Sequence, residues 1–213
     1  MATFEKGILG GFSGKVGNVV GSRWRGKNIM RSLPQRGTYT PTSRQELQRE
    51  KFKTVIGFLS PITDILSAYF GSPQGDKSRA NLATSYHLKN AVVSTTQGMV
   101  MDYDKVLISK GDLRGLDGAS AAAAAGRIVN LNWLDNSGQG KATATDVLMA
   151  VVYAPDLGLF YSDTAIATRD ASTASITLPQ FMLGFEVAIW ASFYKDGTNY
   201  AATSTYLGPL TVV

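Results

Sequence analysis

The sequence predicts an α+β fold in three parts: a basic glycine-rich N-terminal β-ribbon or arm over residues 1–39, a helical region over 40–95, and an antiparallel β-sandwich over 96–213. Three observations predict it. Eight glycines fall within the first 39 residues, apolar residues then recur at helical spacing, and from about residue 99 the spacing becomes alternating.

The arm comes first. In VGNVVGSRWRGKNIMRSLP, residues 16–34, two extended pieces join near Arg25-Gly26-Lys27-Asn28. Basic and apolar residues interleave, and glycine leaves few side chains to build a private core. Such a segment orders by packing on something else.

Two capping-box spacings, Thr42 to Gln45 and Ser43 to Glu46, open a helix behind Pro41. Phe52, Val55, Ile56 and Leu59 continue at helical spacing. Ser60-Pro61 restarts the pattern, and Ile62, Ile65, Leu66 and Tyr69 carry it to Gly71. The reading is two consecutive helices, or one kinked helix, over 43–70, with a short third helix near 79–91.

Seven strand-like runs follow: MDYDKVLIS, RIVNLNW, TDVLMAVVY, LGLFYS, ASITLP, FEVAIWASFY and NYAATSTYL. Turn chemistry such as Asp135-Asn136-Ser137-Gly138 and Asp196-Gly197 separates them. Val129, Leu131 and Trp133 alternate with Asn130 and Asn132, one apolar face and one polar. Short antiparallel strands at this spacing make a sandwich. The alanine stretch 119–125 reads as a linker or a tight packing segment.

Charge is unevenly placed. Residues 1–53 hold eleven Lys or Arg against three Glu, whereas the remaining 160 hold ten basic and thirteen acidic side chains, so a net of +8 precedes a net of −3. A basic arm on an acidic body fits docking on something negative: nucleic acid, a membrane surface, or another copy's body.

GILGGFSGKVGNVVGS resembles a phosphate loop only superficially. Leu9 stands where its first glycine belongs and Val16 where the magnesium-binding hydroxyl belongs. The dinucleotide fingerprint is missing from the arm too. A single histidine, His87, excludes multi-imidazole zinc sites and reads as a surface or helix-end residue. The aspartates at 102, 104, 112, 117 and 135 read as turn and strand-end residues. With no cysteine there is no disulfide and no thiolate chemistry. The sequence thus marks no catalytic, cofactor-binding or metal-binding residue, and the expectation is a protein that is not an enzyme. It shows neither a signal peptide nor an apolar run long enough for a membrane span, so a cytoplasmic or virion location is expected.

The candidate functional residues lie in the arm: Val16, Val19, Val20, Arg23, Trp24, Arg25, Lys27, Ile29, Met30, Arg31 and Arg36. Strand addition to copies of the chain or to neighbouring subunits would bury the apolar members and pair the arginines with an acidic body. Nucleic acid is the alternative partner, with the guanidinium groups on phosphates and Trp24 stacked on a base.

Two resemblances accompany these readings. Trp133, VLMAVVYAP, SITLP and FEVAIWASFYKDGTNYAATS resemble the strand pattern of fibronectin type III and related immunoglobulin-like modules, which implies that fold for roughly 120–213 and no particular role. KGILGGFSGKVGNVVGSRWRGKNIMRS, followed by TSRQELQREKF, resembles an uncharacterised family of small Bacteroidetes proteins, some encoded among phage-type genes. That resemblance implies an assembly protein, such as a virion component, and supplies no catalytic residue.

Overall fold

The computed structural model describes residues 3–4, 10–24, 26–35, 37, 40–96 and 98–213. The chain divides into two compact units, Met1–Gln45 and Glu46–Val213.

The first unit is a ribbon of antiparallel strands, β1 (Thr3–Phe4), β2 (Phe12–Val16), β3 (Val19–Trp24) and β4 (Lys27–Ser32), in spatial order 1-2-3-4. A two-residue turn joins β2 to β3, and Gly26 lies between the paired ends of β3 and β4, Trp24 and Lys27. Gly17 at φ 56° and Gly26 at φ 77° supply the left-handed backbone such turns demand.

Helix α1 (Ser43–Leu59) starts as the capping spacing predicts: the Thr42 N–H donates to Gln45 Oε1 at 3.0 Å. A 3₁₀ turn at Ser60–Ile62, with Pro61 near its start, leads into α2 (Thr63–Tyr69). Then α3 (Arg79–Asn90) is capped by Ser78, whose Oγ accepts the Asn81 N–H. A hairpin of β5 (Val92–Thr95) and β6 (Gly98–Met101) follows.

The sandwich is built from β7 (Asp117–Ala124), β8 (Ile128–Leu134), β9 (Val147–Ala154), β10 (Leu159–Thr168), β11 (Thr173–Thr177), β12 (Glu186–Tyr194) and β13 (Thr205–Thr211). One sheet has the order β11-β8-β7, the other β10-β9-β12-β13. This is an immunoglobulin-like sandwich in which the fourth strand pairs with the third rather than joining the first sheet.

Three expectations need correction. MDYDKVLIS is no strand beyond Met101: Tyr103–Lys105 is a 3₁₀ turn, and past it side chains take the backbone donors. The Leu107 N–H goes to His87 Nε2 and that of Ile108 to Ser204 Oγ, so no strand is needed to satisfy them. The alanines of 119–124 are an edge strand, not a linker, because β8 offers a ladder that outweighs alanine's helix preference. In NYAATSTYL the strand begins only at Thr205, and the residues before it form single bridges to Tyr194 and Leu113.

The four-stranded sheet is covered on both faces. Leu148, Ala150 and Val152 of β9 and Val187, Ile189 and Phe193 of β12 pack against Val129, Leu131, Trp133 and Ile176 of the other sheet. Their neighbours Met149, Val151 and Trp190 pack against Phe58, Leu59 and Leu66 of the helices. The helical region and the sandwich therefore share a core, in three layers. On the outside of β8, Asn130 and Asn132 accept hydrogen bonds from Ser175 and Thr173 of β11.

Candidate interaction surface

Register sorts the ribbon's side chains into two faces. Directly paired residues share a face, and so do residues two apart along a strand. Lys15, Val20 and Arg31 form one row, Ser22 and Ile29 the next, and Trp24 with Lys27 the last. One face thus carries three cations interleaved with Val20, Ile29 and Trp24. On the other lie Val16 beside Val19, Gly21 beside Met30, and Arg23 beside Asn28.

Among the described residues neither face is closed. Val16 is 48% exposed, Val19 39%, Trp24 57% and Met30 73%, while Val20 and Ile29 are half-buried. Among the described residues of the ribbon only Gly21 is buried: a methyl there would come within 2.6 Å of Phe12 backbone and ring atoms, so Phe12 lies directly over it. Arg25 and Arg36 lie outside the described residues. The structure therefore brings Lys15, which the sequence analysis does not single out, together with Lys27, Arg31 and Trp24 on one face, and sets Arg23, Val16, Val19 and Met30 on the opposite one. Period-2 alternation combined with the two turns is the signal that finds this division.

The ionisable groups of the second unit that look chemical are sealed by packing. Arg169 is fully buried beneath the sandwich's end loops, its Nη2 at 3.1 Å from Asp146 Oδ2 and its guanidinium 4.0 Å from the Phe193 ring centroid. It also donates to the Arg114 carbonyl and to Asn136 Oδ1, while Asp146 accepts from the Thr143 N–H and hydroxyl. Burial pulls the Arg169 pKa below the usual guanidinium range, and Asp146 opposes that pull. Every strong donor and acceptor of the pair has a protein partner, so the pair ties loops together.

His87 corrects the expectation of a surface residue. It sits near the end of α3 but is fully buried. Its Nδ1 lies 2.8 Å from the Ala83 carbonyl, and its Nε2 accepts the Leu107 N–H, a pattern that requires the neutral imidazole. Burial accordingly pulls its pKa down.

Two cavities open on this unit. The larger, about 580 Å³, lies between α3, the residues after α2 and the β12–β13 connection, with Phe70, Tyr86, Lys89, Lys110 and Asn199 in its wall. Lys110 Nζ stands 5.1 Å from the Tyr86 ring centroid. The smaller, about 250 Å³, adjoins an aromatic cluster under α1. In that cluster Phe58 lies 5.1 Å from Tyr153 and 5.0 Å from Phe160, centroid to centroid. The Tyr103 hydroxyl there is pushed up to about 12 by burial, with Tyr153 adding to the effect. Both cavities are assembled from distant segments, which is why spacing along the chain does not reveal them. Among the described residues no three His, Asp or Glu side chains gather as a metal site needs, and no helix is long and apolar enough to cross a membrane.

No curated protein matches the sequence. Among solved structures, the fn3 domain of the human collagen alpha-1(XX) chain is similar at 14% identity and a TM-score of 0.33, the match covering 49% of this chain and 89% of that one. Residues 11–208 match the model of a family of unknown function (DUF6266), and the chain belongs to that family.

Proposed function

We propose that this chain is a non-enzymatic interaction protein whose copies assemble through the N-terminal ribbon. One observation carries the reading: a small ribbon that holds Val16, Val19, Trp24 and Met30 out to solvent on two faces. A ribbon of this size needs a covered apolar face to be stable, and exposed apolar surface concentrated this way marks a docking site. The charge division, basic over 1–53 and acidic beyond, makes another copy's body a suitable partner. Among the described residues β4 has one strand neighbour, so its outer edge offers main-chain groups for strand addition. The setting suggested by the resemblance of the arm is a phage-like virion, with this chain as a structural component.

Deletion of residues 1–38 tests the proposal. Light-scattering mass should fall from oligomer to monomer, and an oligomer of unchanged mass would overturn it.

A second reading has one observation in its favour, the alignment of Lys15, Lys27 and Arg31 with Trp24 on one face. That face would track a phosphate backbone and stack a base. Binding to a random-sequence DNA oligonucleotide should then weaken steeply between about 50 and 200 mM salt. Absence of binding at the lower salt would remove this reading.

A further inference from the structure

The surface that receives the ribbon can be named, on the reading that copies assemble through it. The 250 Å³ cavity under α1 is walled by Phe58, Tyr103, Tyr153 and Phe160, and Val100, 40% exposed, is also in its wall. Its volume falls below the roughly 300–1,000 Å³ of small-molecule sites and suits one large side chain. Gly57 of α1 lines it, and a Cβ at that position would meet nothing within 4 Å. Glycine inside a helix is less favourable than alanine, so leaving this wall bare is unfavourable for the isolated chain.

The surroundings are acidic. Burial is the main cause that raises the phenols of Tyr206 and Tyr103, and Asp104 and Glu186 lie close enough to Tyr206, and Asp156 close enough to Tyr103, to add to it; all three carboxylates are exposed. Tyr206 and Tyr103 flank Trp190 at 5.5 and 6.0 Å, so the carboxylates surround a continuous aromatic floor. The nearby Lys105 is already paired with Asp102 at 2.8 Å.

The ribbon presents the complement. Trp24 is the last residue of β3 and pairs with the first of β4, so its indole stands at the end of the strand pair, farther out than a mid-strand residue such as Met30. Lys27 pairs with it on the same face, and Arg23 precedes it with its side chain on the other. Tryptophan seated in a pocket with basic neighbours is the usual composition of an interface hot spot. We propose that Trp24 of one copy inserts into the Phe58–Tyr103–Tyr153–Phe160 cavity of a second copy, with Lys27, on the same ribbon face, toward the carboxylates around it.

The test uses the full chain. Sedimentation of Trp24→Ala and of Gly57→Leu, which fills the cavity from the helix side, should each show association weakened roughly tenfold or more, with far-ultraviolet circular dichroism unchanged. If the parent associates and Trp24→Ala weakens it while folded Gly57→Leu does not, the cavity is wrong though assembly through the ribbon stands. A monomeric parent would sink both.

Because the chain has no cysteine, a second measurement is clean and independent of how Gly57→Leu folds. Trp24→Cys mixed with Gly57→Cys should form a disulfide between copies under mild oxidation, whereas Met30→Cys with Gly57→Cys should not. No Trp24–Gly57 cross-link between copies overturns the proposal, as does a chain carrying both cysteines that closes only on itself.

Discussion

The ribbon β2–β4 and the sheet β10-β9-β12-β13 pose the same physical problem, because both have apolar side chains on two faces, yet among the described residues only the sheet is covered by its own unit. In β12 all residues from Val187 to Tyr194 are buried, the helices on one side and the second sheet on the other. In β3 one residue of six, Gly21, is buried. Two-sided burial of a strand requires two layers of cover. The comparison teaches that an immunoglobulin-like sandwich takes on a third, helical layer when its larger sheet is apolar on the outside. A ribbon with the same two-sidedness and no such layer is, on the function proposed above, a surface for others.

The comparison can be broken most forcefully from the sheet side. Asp146→Ala leaves the Arg169 guanidinium buried without its countercharge, and a loss of about 3–5 kcal/mol is expected in urea unfolding. Trp190→Ala removes the side chain that joins the helical layer to the sheet, with an expected loss of about the same 3–5 kcal/mol. If either variant unfolds at the parent's urea concentration, the layered account of the core is wrong.

A smaller effect is expected at Gly111. A methyl there would stand 2.1 Å from the Ala201 carbonyl, so backbone must move, and Gly111→Ala should cost about 1–3 kcal/mol by the same measurement.

His87 gives a pH signature to the same unit. Its folded pKa is pulled below the ordinary 6.5 by burial, so the unfolded chain binds the proton more readily. The stability it contributes is complete above about 6.5 and is lost as pH falls through the folded value. Thermal melts between pH 7.5 and 5 should show this loss, and His87→Gln should flatten it; an identical slope in the variant would contradict the role given to the neutral ring.

The smallest effect on folding belongs to the ribbon. Met30→Ala and Lys27→Ala should change the urea-unfolding free energy of the dilute chain by no more than about 0.5 kcal/mol. A large loss of stability in the dilute chain would mean that these side chains are buried by their own copy.

The parts of this architecture that were legible in the sequence are those set by local chemistry. The Thr42 cap, the restart at Pro61, the turn at Gly26 and the alternation of Val129, Leu131 and Trp133 all depend on neighbours a few residues away. The rest depends on partners far along the chain. Alanines 119–124 become a strand only because β8 is there to pair with them. Arg169 and Asp146 meet across 23 positions, and His87 is buried by a segment 20 residues on. The two-sided burial of β9 does have a local trace: VLMAVVYA is an unbroken apolar run where a one-sided strand would alternate. At the ribbon, residue type marked the candidates, whereas their division between two faces needed the register.

The most direct test of the central claim, that partners cover the ribbon while the chain itself covers the sheet, is amide hydrogen exchange of the full chain across protein concentration. Protection of residues 19–32 should rise as copies associate, and protection of β9 and β12 should stay constant. Equal protection of 19–32 in the dilute monomer and the concentrated protein would contradict it.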